Sequence, residues 1–467
     1  MTAPTVAAPE TTDAPRARSG RRVPIGPPPE RPLREASRRF VVALVAIATV
    51  GLGVRLWFVF VGYGHFQLRG DAVYYHLQGW TIGDGHWFVN PGGWFEGLRM
   101  TTHWHGHQGP TAYHPPLYGL YLGMISWLGG WSVTAHRVAS CFLGTASVAV
   151  LGLTGRKMMG ERAGLVAAAI AAVYANFWIN DGMLLSESMT ILTVSVILLA
   201  AYTLWARPTR WNAWWLGVAI GVAVLARSEV SLLAILVAVP VIVGARTLTA
   251  RRRVEMLALA AGGIILFVGP WVGFNMVRFQ KPVYLSSGLG SVLSTANCDK
   301  TYYGSFLGLY AQCFTYPNGA VTGDESQQDA VVMKSARTYI KHHLGRVPVV
   351  VAARVARIWD VYKPGQNLQL NAVIEGRTKR ASRIAFGQYV FLMPLAIAGT
   401  IVLWRARIPI SPILGPAVVA TIAAALSFGV VRYRSPAEPA IVLAAAASIE
   451  VVWRSMRVRA RPGPRAA

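Results

Sequence analysis

Leu117–Gly130 reads LYGLYLGMISWLGG and follows two prolines, Pro115 and Pro116. Whether this stretch crosses a bilayer decides the orientation of every later segment. A spanning helix needs about 20 apolar residues, so the stretch predicts an interfacial or re-entrant helix. Loop charge gives an independent test, because short basic loops stay in the cytoplasm. With Leu117–Gly130 not crossing, Phe40–Tyr63 leads out and Val133–Gly155 returns to Arg156, Lys157 and Arg162. Ala163–Ile179 leads out, Ser188–Ala206 returns to Arg207 and Arg210, and Trp211–Ala226 leads out again. Val230–Gly244 returns to Arg246, Arg251, Arg252 and Arg253, and Val254–Phe274 leads out. Ile384–Trp404 returns to Arg405 and Arg407, Ile410–Val430 leads out, and Ile441–Trp453 comes back. The expectation is about ten transmembrane helices with both termini cytoplasmic. A crossing at Leu117–Gly130 would invert all later short loops against the rule.

Composition supports the same class. The 467 residues are 54% hydrophobic and 14% charged, where a soluble domain carries about a quarter charged. Several apolar runs reach about 17 to 24 residues, which suits membrane helices. The fold class expected is therefore an all-α polytopic membrane protein. A net charge of +25 would suggest nucleic acid in a soluble protein. Here many of the arginines cluster in tails and short loops beside spans, so positive-inside bias accounts for them and nucleic acid is set aside.

Residues 1–39 are rich in Pro, Ala and Arg without apolar periodicity, which predicts a disordered cytoplasmic tail. No short apolar region with a cleavage site precedes Phe40–Tyr63, so that run is expected to stay as an anchor. Residues 40–275 form a transmembrane module with an external loop at 64–131. Residues 276–383 form an external loop region with amphipathic juxtamembrane helices at Gln327–His343 and Val347–Val361. Residues 384–453 hold the closing spans and 454–467 a basic cytoplasmic tail. No internal repeat is visible, which weakens a transporter built of inverted halves. Cys298 and Cys313 fall in the external region, where disulfides persist. A bridge between them would contribute about 3 kcal/mol by chain entropy; the alternative is two unpaired thiols. Cys141 lies within a span and reads as a small hydrophobe.

The polar stretch Arg69–Pro116 holds six of the ten histidines together with Asp71, Asp84, Glu96 and four tryptophans. Asp71 and Tyr75 are spaced to share one helical face, with His76 adjacent. An external carboxylate there can act as general base toward a hydroxyl; equally it can cap the helix that starts there. His114, fixed by Pro115 and Pro116, is placed to meet a phosphate at the membrane surface, or else sits in a wet loop. Asp181 and Ser186-Glu187 are expected at the external end of the Ala163–Ala206 hairpin, facing the cleft of Asp71. Otherwise Asp181 solvates a loop and Glu187 complements a helix start. His103, His105 and His107 alternate, so an extended chain presents all three on one face, as a metal site needs. The alternative is a flexible loop, and a divalent ion is the cofactor left open. Arg227-Ser228-Glu229 and Arg432-Tyr433-Arg434 sit at external span ends and call for anionic partners, either lipid headgroups or a bound polyprenyl phosphate.

Gly70-Asp71-x-x-x-Tyr75-His76, then His114-Pro115-Pro116-Leu117-Tyr118, then Arg137 opening a span, together resemble the GT-C superfamily of membrane glycosyltransferases. The branch is the protein O-mannosyltransferase-like one that includes the aminoarabinose transferases of lipid A (glycosyltransferase family 39/83 type). Gly160-x-x-Ala163-Gly164, Ser186-Glu187, Gly221-x-Ala223-x-Leu225-x-Arg227, Pro270-Trp271-x-x-x-Asn275 and Arg432-Tyr433-Arg434-x-Pro436 match further. The resemblance implies a GT-C-type helical bundle and a transferase that uses a polyprenyl-phosphate sugar outside the cytoplasmic membrane. It implies that Asp71 is the catalytic base for an inverting displacement and that Asp181 is a second, assisting acid. The position matching His114 is a Lys in the aminoarabinose transferases. Asp71 is followed by Ala72, where the protein mannosyltransferases often carry an Asp-Glu pair.

The reading is a glycosyltransferase acting on an envelope glycan, lipid or protein. Asp71 and Asp181 are its catalytic acids, and Tyr75, His76, His114, Glu187, Arg227, Arg432 and Arg434 line its substrate site. Residues 40–275 would be the catalytic module. The alternative from another class is a transporter or flippase of a lipid-linked sugar, which would place polar groups within the spans. A third is a non-catalytic envelope scaffold.

Overall fold

Ser37 sets where the first helix begins. Its hydroxyl accepts from the Phe40 amide at 3.1 Å, and its own amide and hydroxyl reach Glu161 at 2.9 and 2.7 Å. The computed structural model describes residues 36–63, 67–94, 109–245, 247–313, 323–373 and 375–459. The His103, His105 and His107 cluster and the two expected tails, apart from their inner ends, lie outside the described residues.

The described chain is helical, with a single isolated bridge between Val89 and Pro110 and no named strand. Its main helices in order are α1 (Arg38–Trp57), α2 (Asp71–Gly83), α3 (Pro116–Trp127), α4 (Val133–Met159), α5 (Glu161–Val173), α6 (Ala175–Met183), α7 (Glu187–Ala206) and α8 (Arg210–Val224). There follow α9 (Ala250–Arg278), α10 (Leu289–Ala296), α11 (Glu325–His342), α12 (Val347–Ile358), α13 (Pro364–Val373), α14 (Lys379–Arg405), α15 (Ser411–Leu426) and α16 (Glu438–Arg459).

Among the described residues six helices, α1, α4, α7, α9, α14 and α16, are long and apolar enough to cross a membrane. The pair α5–α6, bent by 47°, makes a seventh if it counts as one span. Three of the ten expected spans are shorter. α8 has 15 residues and α15 has 16. Val230–Gly244 breaks into a 3-10 turn at Ser228–Leu232, a π turn at Ala234–Ala238 and a short α piece with Pro240 in its first turn. At 1.5 Å per residue an α-helix of 16 residues reaches about 24 Å, short of the roughly 30 Å hydrocarbon core. Length alone therefore does not establish ten. α3 has 12 residues and extends about 18 Å, too little to cross.

The spans pack through small residues, which let helix backbones approach closely. A Cβ at Gly155 would sit 2.9 Å from the Ala163 carbonyl oxygen, so α4 and α5 meet backbone to backbone. Leu151, Ala167, Ile197, Ile220 and Val442 are fully buried in the core that α4, α5, α7, α8 and α16 share. α2 and α3 pack together at Gly79, where a Cβ would lie 2.8 Å from Leu122. In the loop region Cys298 and Cys313 are disulfide-bonded, and Cys141 is a buried free cysteine. The end of that region is tied to the segment before α2. Arg69 donates to the Val373 carbonyl and Tyr63 to the Gly376 carbonyl, each at 3.0 Å.

Candidate active site

Gly70 starts the site. It adopts φ 52° and ψ −127°, a backbone that glycine takes readily and L-residues rarely do. That turn makes Asp71 the first residue of α2, while Gly70 occupies the capping position without a side-chain hydrogen bond. The capping alternative for Asp71 therefore does not describe its side chain. One carboxylate oxygen pairs with Nη2 of Arg432 at 2.7 Å, and the other lies 3.8 Å from Nε2 of His114. Burial pushes this carboxyl upward, but the Arg432 charge and then His114 outweigh it and hold the pKa at about 2.

His114 stacks on Tyr75 with ring centroids 4.7 Å apart and meets Tyr74 and Tyr113 edge-on. Its Nε2 is buried and makes no hydrogen bond among the described residues; 3.8 Å to Asp71 is too long for one. Burial lowers its pKa, offset in part by Asp71. The ring is thus neutral near pH 7.

Arg432 sits on the 3-10 turn Val431–Arg434, and Arg227 just after α8. Arg227 bonds Glu187 at 2.7 Å and Glu229 at 2.5 Å. Arg432 adds Glu375 at 3.4 Å and Glu187 at 3.9 Å to its Asp71 contact. Both guanidinium groups lie over the Tyr433 ring, at 4.8 and 5.8 Å. Asp71, His114, Arg227, Glu229, Glu375, Arg432 and Tyr433 line a cavity of about 590 Å³, whose lining also includes the apolar Leu289, Val292, Ala423, Leu426 and Phe428. Leu184, with φ 57°, turns the chain between α6 and α7 so that Ser186 reaches the cavity and Glu187 lies beneath it.

Four expected positions fall otherwise. Asp181 does not line the cavity: it is buried and paired with Nε of Arg55 at 2.8 Å. The bend between α5 and α6 turns it toward α1, where a charged guanidinium inside an apolar span needs a counter-charge. His76 also points away, with Nδ1 3.0 Å from Nδ1 of His136, whose Nε2 is 2.9 Å from the Ser126 hydroxyl. Burial and the Arg137 charge lower His76 to about 4. Arg434 is buried against Asp360, Glu438 and the Tyr389 ring. Glu187 is 1% exposed and supports the two arginines from behind. Sequence reasoning missed Glu375 and Tyr310, which line the cavity from the loop region, and Arg55 as the partner of Asp181. Arg55 alone carried a signal, as a charge inside an apolar run. Among the described residues no group of three or more His, Cys, Asp or Glu is placed to hold a metal ion.

The family model for dolichyl-phosphate-mannose-protein mannosyltransferases matches residues 113–272. The fold is shared with the oligosaccharyltransferase of Archaeoglobus fulgidus, solved with a tethered acceptor peptide. That overlap has a TM-score of 0.53 and 14% identity over 91% of this chain. That likeness is one of fold. A further structure from that organism, the archaeal oligosaccharyltransferase AglB with an inhibitory peptide and a dolichol-phosphate, overlaps this chain at TM-score 0.53 and 13% identity over 92% of its length. The chain spans about half the length of these structures, 51% and 53%. ArnT from Cupriavidus metallidurans, bound to undecaprenyl phosphate, overlaps more weakly, at TM-score 0.42 and 16% identity over 91% of this chain and 80% of that one. No curated protein sequence matches the chain. The matched segment 113–272 holds His114, Glu187 and Arg227, whereas Asp71, Glu375 and Arg432 fall outside it.

Proposed function

We propose that the protein transfers a sugar from a polyprenyl-phosphate donor to an acceptor hydroxyl on an envelope glycan, lipid or protein. The observation that carries this reading is Asp71 paired with Arg432, with Arg227, in the lining of a cavity that also presents Leu289, Val292, Ala423, Leu426 and Phe428. The carboxylate accepts the hydroxyl proton and the acceptor oxygen attacks the anomeric carbon. The bond from that carbon to the phosphate oxygen breaks, with inversion. Arg432 and Arg227 take up the charge that develops on the departing phosphate. The apolar lining residues offer contacts for the first isoprene units. The dolichol-phosphate bound to the archaeal enzyme of the same fold supports a lipid-phosphate donor. His114, neutral at pH 7, orients rather than charges the site.

Asp71 paired with Arg432 is ionised but weakly basic. As Arg432 turns to the donor phosphate, the carboxylate loses its counter-ion and its affinity for a proton rises. Loop charge supports a site on the external face of the cytoplasmic membrane, with both termini cytoplasmic. The test is transfer from a labelled polyprenyl-phosphate sugar to envelope acceptors in membranes holding wild type or Asp71→Asn. Asn keeps size and cannot act as base, so transfer should fall by about 100-fold or more at equal expression. Equal transfer in both would remove Asp71 from the mechanism.

A further inference from the structure

Glu375 lies outside every motif read from the sequence, yet it lines the same cavity, with its carboxylate 7% exposed. Tyr310 donates its hydroxyl to one carboxylate oxygen at 3.0 Å, and the other oxygen sits 3.4 Å from Nε of Arg432. That nitrogen is buried and makes no hydrogen bond among the described residues. Arg432 is therefore held tightly at its Nη2 end by Asp71, at 2.7 Å, and loosely at its Nε end. The backbone around Glu375 is anchored through Tyr63 on Gly376 and Arg69 on Val373. The acid cannot readily follow a guanidinium that moves away. Arg227 is matched by Glu187 and Glu229 in the same manner. Two arginines thus face four carboxylates, and a phosphate entering here displaces an acid from each cation instead of meeting bare positive charge.

We propose that Glu375 is a positioning residue that competes with the donor's phosphate for Arg432, weakening its grip so that polyprenyl phosphate leaves after transfer. This rests on the donor reading above. Asp71 is unsuited to the task because it is engaged with the acceptor. Glu375, anchored by Tyr310, stays in place throughout and takes the guanidinium back when the phosphate departs. A carboxylate near a bound phosphate repels it, so removing that charge strengthens phosphate binding. Loss of a merely structural contact would weaken it. The two roles predict opposite signs.

The experiment measures the Kd of a short-chain polyprenyl monophosphate for the full chain in lipid nanodiscs, as wild type, Glu375→Gln and Glu375→Asp, with thermal unfolding run on each. Glu375→Gln should bind about three- to ten-fold more tightly and turn over more slowly. Glu375→Asp, which keeps the charge but shortens the side chain, should return toward wild type. Were the contact structural, the shortened Asp would be the worse variant and the near-isosteric Gln the milder one. Inorganic phosphate, which shares the headgroup chemistry, should tighten in parallel; tightening for the lipid alone would place the effect on the chain and overturn the proposal. Unchanged or weaker binding in a folded Glu375→Gln protein also overturns it. Absence of binding to wild type overturns the donor reading itself, a different failure and visible as such.

Discussion

Asp71 and Arg432 stand 361 positions apart and meet at 2.7 Å, so the base is born with its counter-ion in place. His114 beside them bears on pH. Its pKa lies below the ordinary histidine value near 6.5, because burial disfavours the cation. A depressed histidine has its titration midpoint below the ordinary value, so that midpoint falls under the window from roughly pH 6.5 to 8. Transfer should show no step of its own in that window, and His114→Gln should leave the shape of the profile unchanged. An acid limb near pH 6.5 that the variant abolishes would contradict this. Asp181 answers to stability instead. Asp181→Asn strands the Arg55 charge in an apolar span, at a cost of about 3 kcal/mol. It should lower the unfolding temperature, while Arg55→Leu combined with Asp181→Leu recovers most of the loss. A folded, undiminished Asp181→Asn protein without transfer would return Asp181 to the catalytic machinery. At this scale the cavity residues Asp71, Tyr75, His114, Arg227 and Arg432 could be read from the sequence because they flank apolar runs. Glu375 could not, since one acid in a loop region of about a hundred residues has no local mark.

Among elements, α2 depends on how it begins. Gly70 holds φ 52° with open space around the missing Cβ, so the demand for glycine is conformational and not steric crowding. Gly70→Ala should cost about 1–3 kcal/mol of backbone strain or shift the first turn of α2. Either outcome moves the Asp71 carboxylate relative to Arg432. Transfer should fall several-fold with donor binding largely kept, since Arg227 and Arg432 are carried by other elements. Equal transfer in Gly70→Ala would show that the first turn tolerates another backbone. Helix positions were legible as apolar runs, with ends displaced by a few residues. The bend between α5 and α6 was not, because Tyr174 at the break is neither Gly nor Pro. That missed bend is what misplaced Asp181. The breaks in Ser228–Val243 had one visible mark, Pro240, whose missing amide cannot join the helical ladder.

Across the whole molecule, the site is assembled from α2, the segment before α3, the turn after α8, the loop region and the turn before α16, and only packing brings these together. The helical membrane class followed from composition and the apolar runs. The number of crossings did not, since α8, Ser228–Val243 and α15 are too short to be counted by length and must tilt or thin the bilayer if they cross. Loop charge then decides, and it makes a sharp statement about sides. Lys341 on α11 and Arg251 at the start of α9 are both exposed. With α3 not crossing, loop charge predicts Lys341 outside and Arg251 inside. In a Cys141→Ala background that keeps the bonded Cys298 and Cys313, Lys341→Cys should react with a membrane-impermeant maleimide on intact cells. Arg251→Cys should react only after permeabilisation. The reverse pattern would mean that the whole chain is inverted, with the Asp71 cavity inside and the basic loops on the side that the charge rule forbids. Labelling of both on intact cells would mean that the short helices do not all span, and the count would fall toward the six or seven that length supports.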